Sequence, residues 1–185
     1  MDLAEQAMNG DMARRDMLIL VDGLDRQVGT ATKEDAHRHG LLHRAFSVVL
    51  VRERTGVREV LLSRRATGKY HSGGLWANSC CSHPRNGEDV TNAAYRRVRE
   101  ELGCEACDLH EVAAFAYRTP FENGLVEHEF DHVLVGTCTG ELAPDPSEVS
   151  EVRWISMDDI ARDLGEKPDM WCAWAPMVLT LALAR

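Results

Sequence analysis

The chain has 185 residues, 44% apolar and 28% charged, and a formal net charge of −9. That length suits one domain with a core of its own, and the acidic balance speaks against nucleic acid or an anionic membrane surface as the main partner. No stretch approaches the ~18–20 consecutive apolar residues of a membrane span.

Residues 1–16, MDLAEQAMNGDMARRD, mix acids and bases without an apolar centre, so they are expected to form a flexible tail and not a secretory or transit leader. The six cysteines at 80, 81, 104, 107, 138 and 172 include one C-x-x-C with no partner pair for a zinc knuckle, and reduced thiols in a cytoplasmic protein follow. The apolar run 17–22 reads as a strand closed by Asp22-Gly23. A short helix over 32–39 has Thr32 as N-cap and Gly40 as its stop. The β-rich runs 44–52 and 59–64 flank Thr55-Gly56 as a hairpin, and the basic, glycine-rich 65–74 is loop. Helical spacing runs from Asp89 to Leu102 and ends at Gly103. The strands 112–117 and 125–135 bracket Asn123-Gly124, a hairpin turn. A strand over 151–155 leads to a helix over 158–164 capped by Ser156, and an apolar closing helix occupies 171–185. The expected class is α+β, a mixed sheet sandwiched between helices in a single domain.

Residues 82–104, SHPRNGEDVTNAAYRRVREELGC, resemble the Nudix box G-x5-E-x7-R-E-U-x-E-E-x-G-U, with Glu88, Arg96, Val98, Glu100, Glu101 and Gly103 on pattern. Ser82 replaces the opening glycine and Arg97 replaces a glutamate. In Nudix hydrolases the carboxylate cluster holds cations that activate water, so the reversed charge at Arg97 suits holding a diphosphate better than hydrolysing it. A plain surface helix laced with i,i+4 charge pairs is the bland alternative for this segment. The segments Gly40–Ser47 (GLLHRAFS), Asn78–Pro84 (NSCCSHP) and Tyr117-Arg118-Thr119 … Glu127-His128-Glu129 resemble, in order, the signature segments of type 1 isopentenyl-diphosphate isomerases.

Glu127 and Glu129 sit two apart on a strand and leave the same face. Carboxylate oxygens with imidazoles suit a divalent cation. The resemblance implies a tight site of His37, His43, His83, Glu127 and Glu129 for Mn²⁺, Mg²⁺ or Zn²⁺. His37 follows an E-x-A-H pattern and is preferred to its competitor His39. The resemblance also implies Cys81 and Glu129 as the proton pair, with Tyr117 bonding the glutamate. Arg65, Lys69 and Arg97 would bind an allylic or homoallylic diphosphate, together with a Mg²⁺ held through Glu101. A thiol near cations is expected to reach the thiolate form. Met177 stands where the family usually has a tryptophan, which leaves Trp76, Trp171 and Trp174 as candidates for an aromatic wall. A nucleotide-type Nudix hydrolase and a catalytically silent binding module are the competing functions. Arg97 argues against the first, and the joint presence of Cys81, Tyr117 and Glu129 against the second.

Overall fold

The structure, a computed structural model, describes residues 17–184; the tail over 1–16 lies outside them. In chain order it runs β1 (Met17–Val21), β2 (Gln27–Thr32), α1 (Lys33–His39), β3 (His43–Arg54), β4 (Val57–Arg65), β5 (Trp76–Ala77), β6 (Cys80–Ser82) and α2 (Val90–Leu102). Then follow β7 (Glu105–Pro120), β8 (Val126–Thr139), β9 (Val149–Ser156), α3 (Met157–Glu166), a 3₁₀ turn (Pro168–Met170) and α4 (Ala175–Leu183).

The long strand β3 organises the sheet. Its first half pairs antiparallel with β6 and parallel with β8, and its far end pairs antiparallel with β4. β8 in turn pairs with β7, and β4 with β5 and β9, so the sheet is mixed. Alternation along these strands sorts their side chains into two cores. Val49, Val60, Leu62, Val133 and Val135 pack with Ile160 of α3 and with Val178 and Leu179 of α4. Val48, Leu50, Leu61 and Leu134 face the other way, onto Ala93, Ala94, Val98 and Leu102 of α2. Helices therefore cover both faces, as the pattern predicts.

Local chemistry sets the helix ends. Thr32 and Ser156 accept from the backbone N–H groups of Asp35 and Asp159, and Asp89 caps α2 by accepting from Thr91 and Asn92. Gly103 closes α2 at φ 68°, and a Cβ there would lie 2.5 Å from the Ala143 carbonyl oxygen, so only glycine fits.

Three expectations are corrected. β2, β5 and β6 replace residues read as connections, and β7 runs well beyond 112–117 in both directions. Cys81 accordingly lies in a strand, β6. The closing helix begins at Ala175 and not at 171, because Trp171 forms a backbone bridge with Trp76 and the Cys172 N–H donates to the Trp76 carbonyl. Pro176 then occupies the first helical turn, where its missing N–H costs nothing.

Candidate active site

The site lies where β3, β6, β7 and β8 run side by side and α1 closes over their end. His43 opens β3 directly opposite Glu129 in the parallel register. Tyr117 on β7 faces Glu129 from the other side, and its hydroxyl donates to Glu129 Oε2 at 2.7 Å. His83, just beyond β6, brings Nε2 to 2.9 Å from Glu129 Oε1, and His43 Nε2 stands 3.6 Å from the same oxygen. His37 comes from the buried face of α1. Its Nδ1 donates to the Lys33 carbonyl at 2.6 Å and that of His43 to the Leu41 carbonyl at 2.8 Å. Each bond fixes its ring and leaves Nε2 as the nitrogen with a lone pair, which in His37 faces the Tyr70 hydroxyl at 3.5 Å.

His37, His43, His83 and Glu129 each offer a ligand atom, all within 4.8 Å of one another. Glu127 is not in that quartet. It joins a second group with His37 and His71, a histidine that the sequence reading did not select. His39, the competitor of His37, is exposed. His43 Nε2 and Glu127 Oε2 are buried without a hydrogen-bond partner among the described residues, and open nitrogen and oxygen donors of this kind are what a divalent cation takes up. The residues fit the implied metal.

Electrostatics divide the two glutamates. Burial works against the Glu129 carboxylate, but His43 and His83 beside it outweigh that cost and hold it well below the usual range. Burial and then the charge of Glu129 push Glu127 well above it. Burial lowers His37 to about 4 and His83 to about 3, against partial restoration by the Lys33 carbonyl and by Glu129. The unfolded chain would protonate His83 near 6.5, so the folded state loses stability as pH falls from there toward 3. Relative to the native chain, metal-free His83→Gln should therefore gain about 2 kcal/mol between pH 7 and pH 5 in urea unfolding. A pH-independent difference would mean that His83 titrates freely.

Cys81 and Cys80 occupy opposite faces of β6. Cys80 is buried in the core under α2. Cys81 turns toward a cleft that it lines with Lys33, Arg65, Lys69, Arg97, Glu129 and Trp174, among others. Its Sγ donates to Asn78 Oδ1 at 3.1 Å and accepts from Trp174 Nε1 at 3.1 Å. Both amide hydrogens of Asn78 are taken by the Val48 and Cys80 carbonyls, which aims its oxygen at the sulfur. Ser47, donating to buried Asp131, lies 3.5 Å from the same sulfur. Burial, reinforced by Asp131, pushes the Cys81 thiol well up, which favours the protonated form that a proton donor needs.

Opposite the metal-capable cluster, the cleft is basic. Arg97 pairs with Glu100 at 2.8 Å, with Glu101, and with Glu148 at 3.5 Å, while Lys69 pairs with Glu148. Arg65 stands over the Trp174 ring, 5.4 Å from its centroid. Burial raises the Glu101 carboxyl against the pull of Arg97. Glu88 is engaged by Arg96 and takes no part in the cleft. Lys33 was missed, although its i,i+4 spacing from His37 places both on one face of α1. Burial, then Lys69 and Arg65, lower its ammonium. Trp174 is the tryptophan that reaches the cleft; Trp76 and Trp171 are core residues and Met177 is half exposed.

A box helix laid against a mixed sheet, with acids and bases converging at one edge, is a NUDIX architecture, and the NUDIX domain family matches residues 41–174. Solved structures carry the same fold. A Deinococcus radiodurans protein superposes with TM-score 0.70 at 22% identity, over 89% of this chain and 98% of its own. A MutT NUDIX hydrolase from Burkholderia pseudomallei gives 0.59 at 19%, over 76% and 97%. Sequence similarity is far higher to the isopentenyl-diphosphate Delta-isomerases of Photobacterium profundum, 47% identical over 91% of this chain and 94% of that one, and of Burkholderia multivorans, 48% over 85% and 87%. The chain belongs to the isopentenyl-diphosphate Delta-isomerase family within the NUDIX fold.

Proposed function

We propose that the cleft interconverts isopentenyl and dimethylallyl diphosphate by proton transfer through a tertiary carbocation. The observation that carries this reading is that the Cys81 thiol and the Glu129 carboxylate, the latter held by the Tyr117 hydroxyl, lie in the wall of one cleft that is also lined by Lys33, Arg65, Lys69 and Arg97. Cys81 gives its S–H proton to the terminal methylene carbon, and positive charge develops at the adjacent tertiary carbon. Glu129 takes a proton from the neighbouring CH₂, whose bonding pair becomes the new double bond. Tyr117 steadies the accepting carboxylate. Trp174 presents a π face to the cation and an N–H to the sulfur left behind.

A divalent cation held by His37, His43, His83, Glu127 and Glu129 would pin these side chains and tune the basicity of Glu129. A Mg²⁺ held through Glu101 would screen the diphosphate charge. Arg65, Lys69, Arg97 and Lys33 supply the protein's own phosphate donors.

Incubation with isopentenyl diphosphate and Mg²⁺ in deuterated water should place deuterium in dimethylallyl diphosphate. Release of phosphate would make the protein a hydrolase, and unchanged substrate would leave a binding module. Arg97→Gln and Lys69→Met should each weaken substrate binding by roughly 1.5–3 kcal/mol, the worth of a charge-assisted hydrogen bond. Their existing pairs with Glu101 and Glu148 put the effect toward the lower end. Unaltered dissociation constants in both variants would move the diphosphate elsewhere.

A further inference from the structure

One imidazole beyond the five nominated ligands stands at the same centre. His71 lies between β4 and β5 with its side chain 2% exposed, and its Nε2 is 3.3 Å from Glu127 Oε1. Among the described residues, neither that nitrogen nor Glu127 Oε2 has a hydrogen-bond partner. Nδ1 is occupied by the Ser72 hydroxyl at 3.1 Å, so Nε2 is the nitrogen turned inward. The ring is clamped. Phe121 stacks on it at 4.4 Å and 12°, and Tyr70 meets it edge-on at 4.4 Å and 84°.

His71, His37 and Glu127 bring ligand atoms within 4.8 Å of one another, and the quartet of His37, His43, His83 and Glu129 does the same. The two groups share His37. Its Nδ1–H is committed to the Lys33 carbonyl, which leaves one lone pair, and one lone pair serves one ion. The two groups therefore cannot each hold an ion at the same time.

We propose that His71 is a sixth protein donor to this centre, entering beside Glu127 and completing a set of four nitrogens and two oxygens. The proposal rests on the metal-centred reading above and extends it to a residue that the family resemblance does not name. Such a nitrogen-rich set selects a transition metal over Mg²⁺, which demands oxygen ligands and keeps its waters.

The test is a competition titration of the metal-free protein with Co²⁺, following the visible d–d bands. His71→Phe keeps a ring for Phe121 to stack on and removes both nitrogens. The expected result is a rise of at least about 10–100-fold in the Co²⁺ dissociation constant, the loss seen when even a ligand's hydrogen-bonding partner is removed, with a shift of the bands. Unchanged affinity, or weakened affinity with unchanged bands, overturns the assignment; the latter would make His71 only a hydrogen-bonding neighbour of Glu127. Thermal unfolding of the metal-free variant checks that the fold survives, and His71→Gln replaces it in the same titration if it does not. A native protein that binds no Co²⁺ would sink the metal-centred reading itself, whereas tight native binding with an indifferent variant sinks this inference alone.

Discussion

Replacing Cys81 by alanine is expected to lower isomerisation by about 10²–10⁴-fold or more, the contribution of a positioned proton donor, while the protein stays folded and keeps its metal. The thiol is not one of the proposed ligands, and its hydrogen-bond partners are Asn78, Trp174 and Ser47. These polar groups lose a partner in the variant, so stability should fall by roughly 1–3 kcal/mol. Cys80→Ala is the matched control. That side chain points into the core under α2, and its truncation should cost about 1 kcal/mol of packing with activity retained. Deuterium incorporation measured on both variants decides the matter. An active Cys81→Ala with an inactive Cys80→Ala would reassign the thiol, and full activity in both would require another acid.

The second large effect is expected at Glu129. This carboxylate is engaged on both oxygens, by Tyr117 on Oε2 and by His83 on Oε1. Glu129→Gln keeps the shape but brings one neutral oxygen and an NH₂ group that cannot bind a cation. Activity and metal affinity should therefore fall together, activity by about 10²–10⁴-fold and affinity by at least about tenfold. Tyr117→Phe should fall between this variant and the native protein in activity and leave metal binding near native, because only the orienting bond is lost. A Glu129→Gln protein that retains native Mn²⁺ affinity would separate the two jobs and leave Glu129 a base alone.

Much of this arrangement is legible in the chain because it rests on short-range chemistry. Thr32, Ser156, Gly40 and Gly103 mark helix ends by capping, and Asn123-Gly124 marks the β7–β8 turn. Glu127 and Glu129 share a face because strand side chains alternate. The strands β5 and β6 carry too few residues to show a period, and most positions of β2 are not buried, so no apolar alternation announces it. At the site, residues embedded in ordered motifs could be named in advance. Lys33 was open to detection by its spacing from His37, but His71 and Glu148 were not, because only tertiary folding brings a loop and the residue before β9 to one cleft. Trp174 shows the limit of motif reading most plainly. The string around Pro176 put Met177 in the aromatic's place, but the Trp76–Trp171 bridge delays the helix and leaves Trp174 as the residue turned toward Cys81.

The parallel pairing of β3 with β8 has a consequence for how the protein is made. Ser47 and Asp131, which bond across it, are 84 positions apart. Parallel neighbours need a long crossover, and closing it is entropically costly and slow. While the ribosome is still adding residues, β3 exists before its partner does. Its row of Val48, Val49 and Leu50 then has one open edge until β8 emerges, a segment of the kind that pairs with other chains. His43 lies on that strand and Glu129 on the one that arrives later, so a nascent chain lacking β8 offers a cation histidines but neither glutamate. A metal centre of the proposed composition would therefore be completed only when β8 docks, in the same step that closes the sheet's open edge.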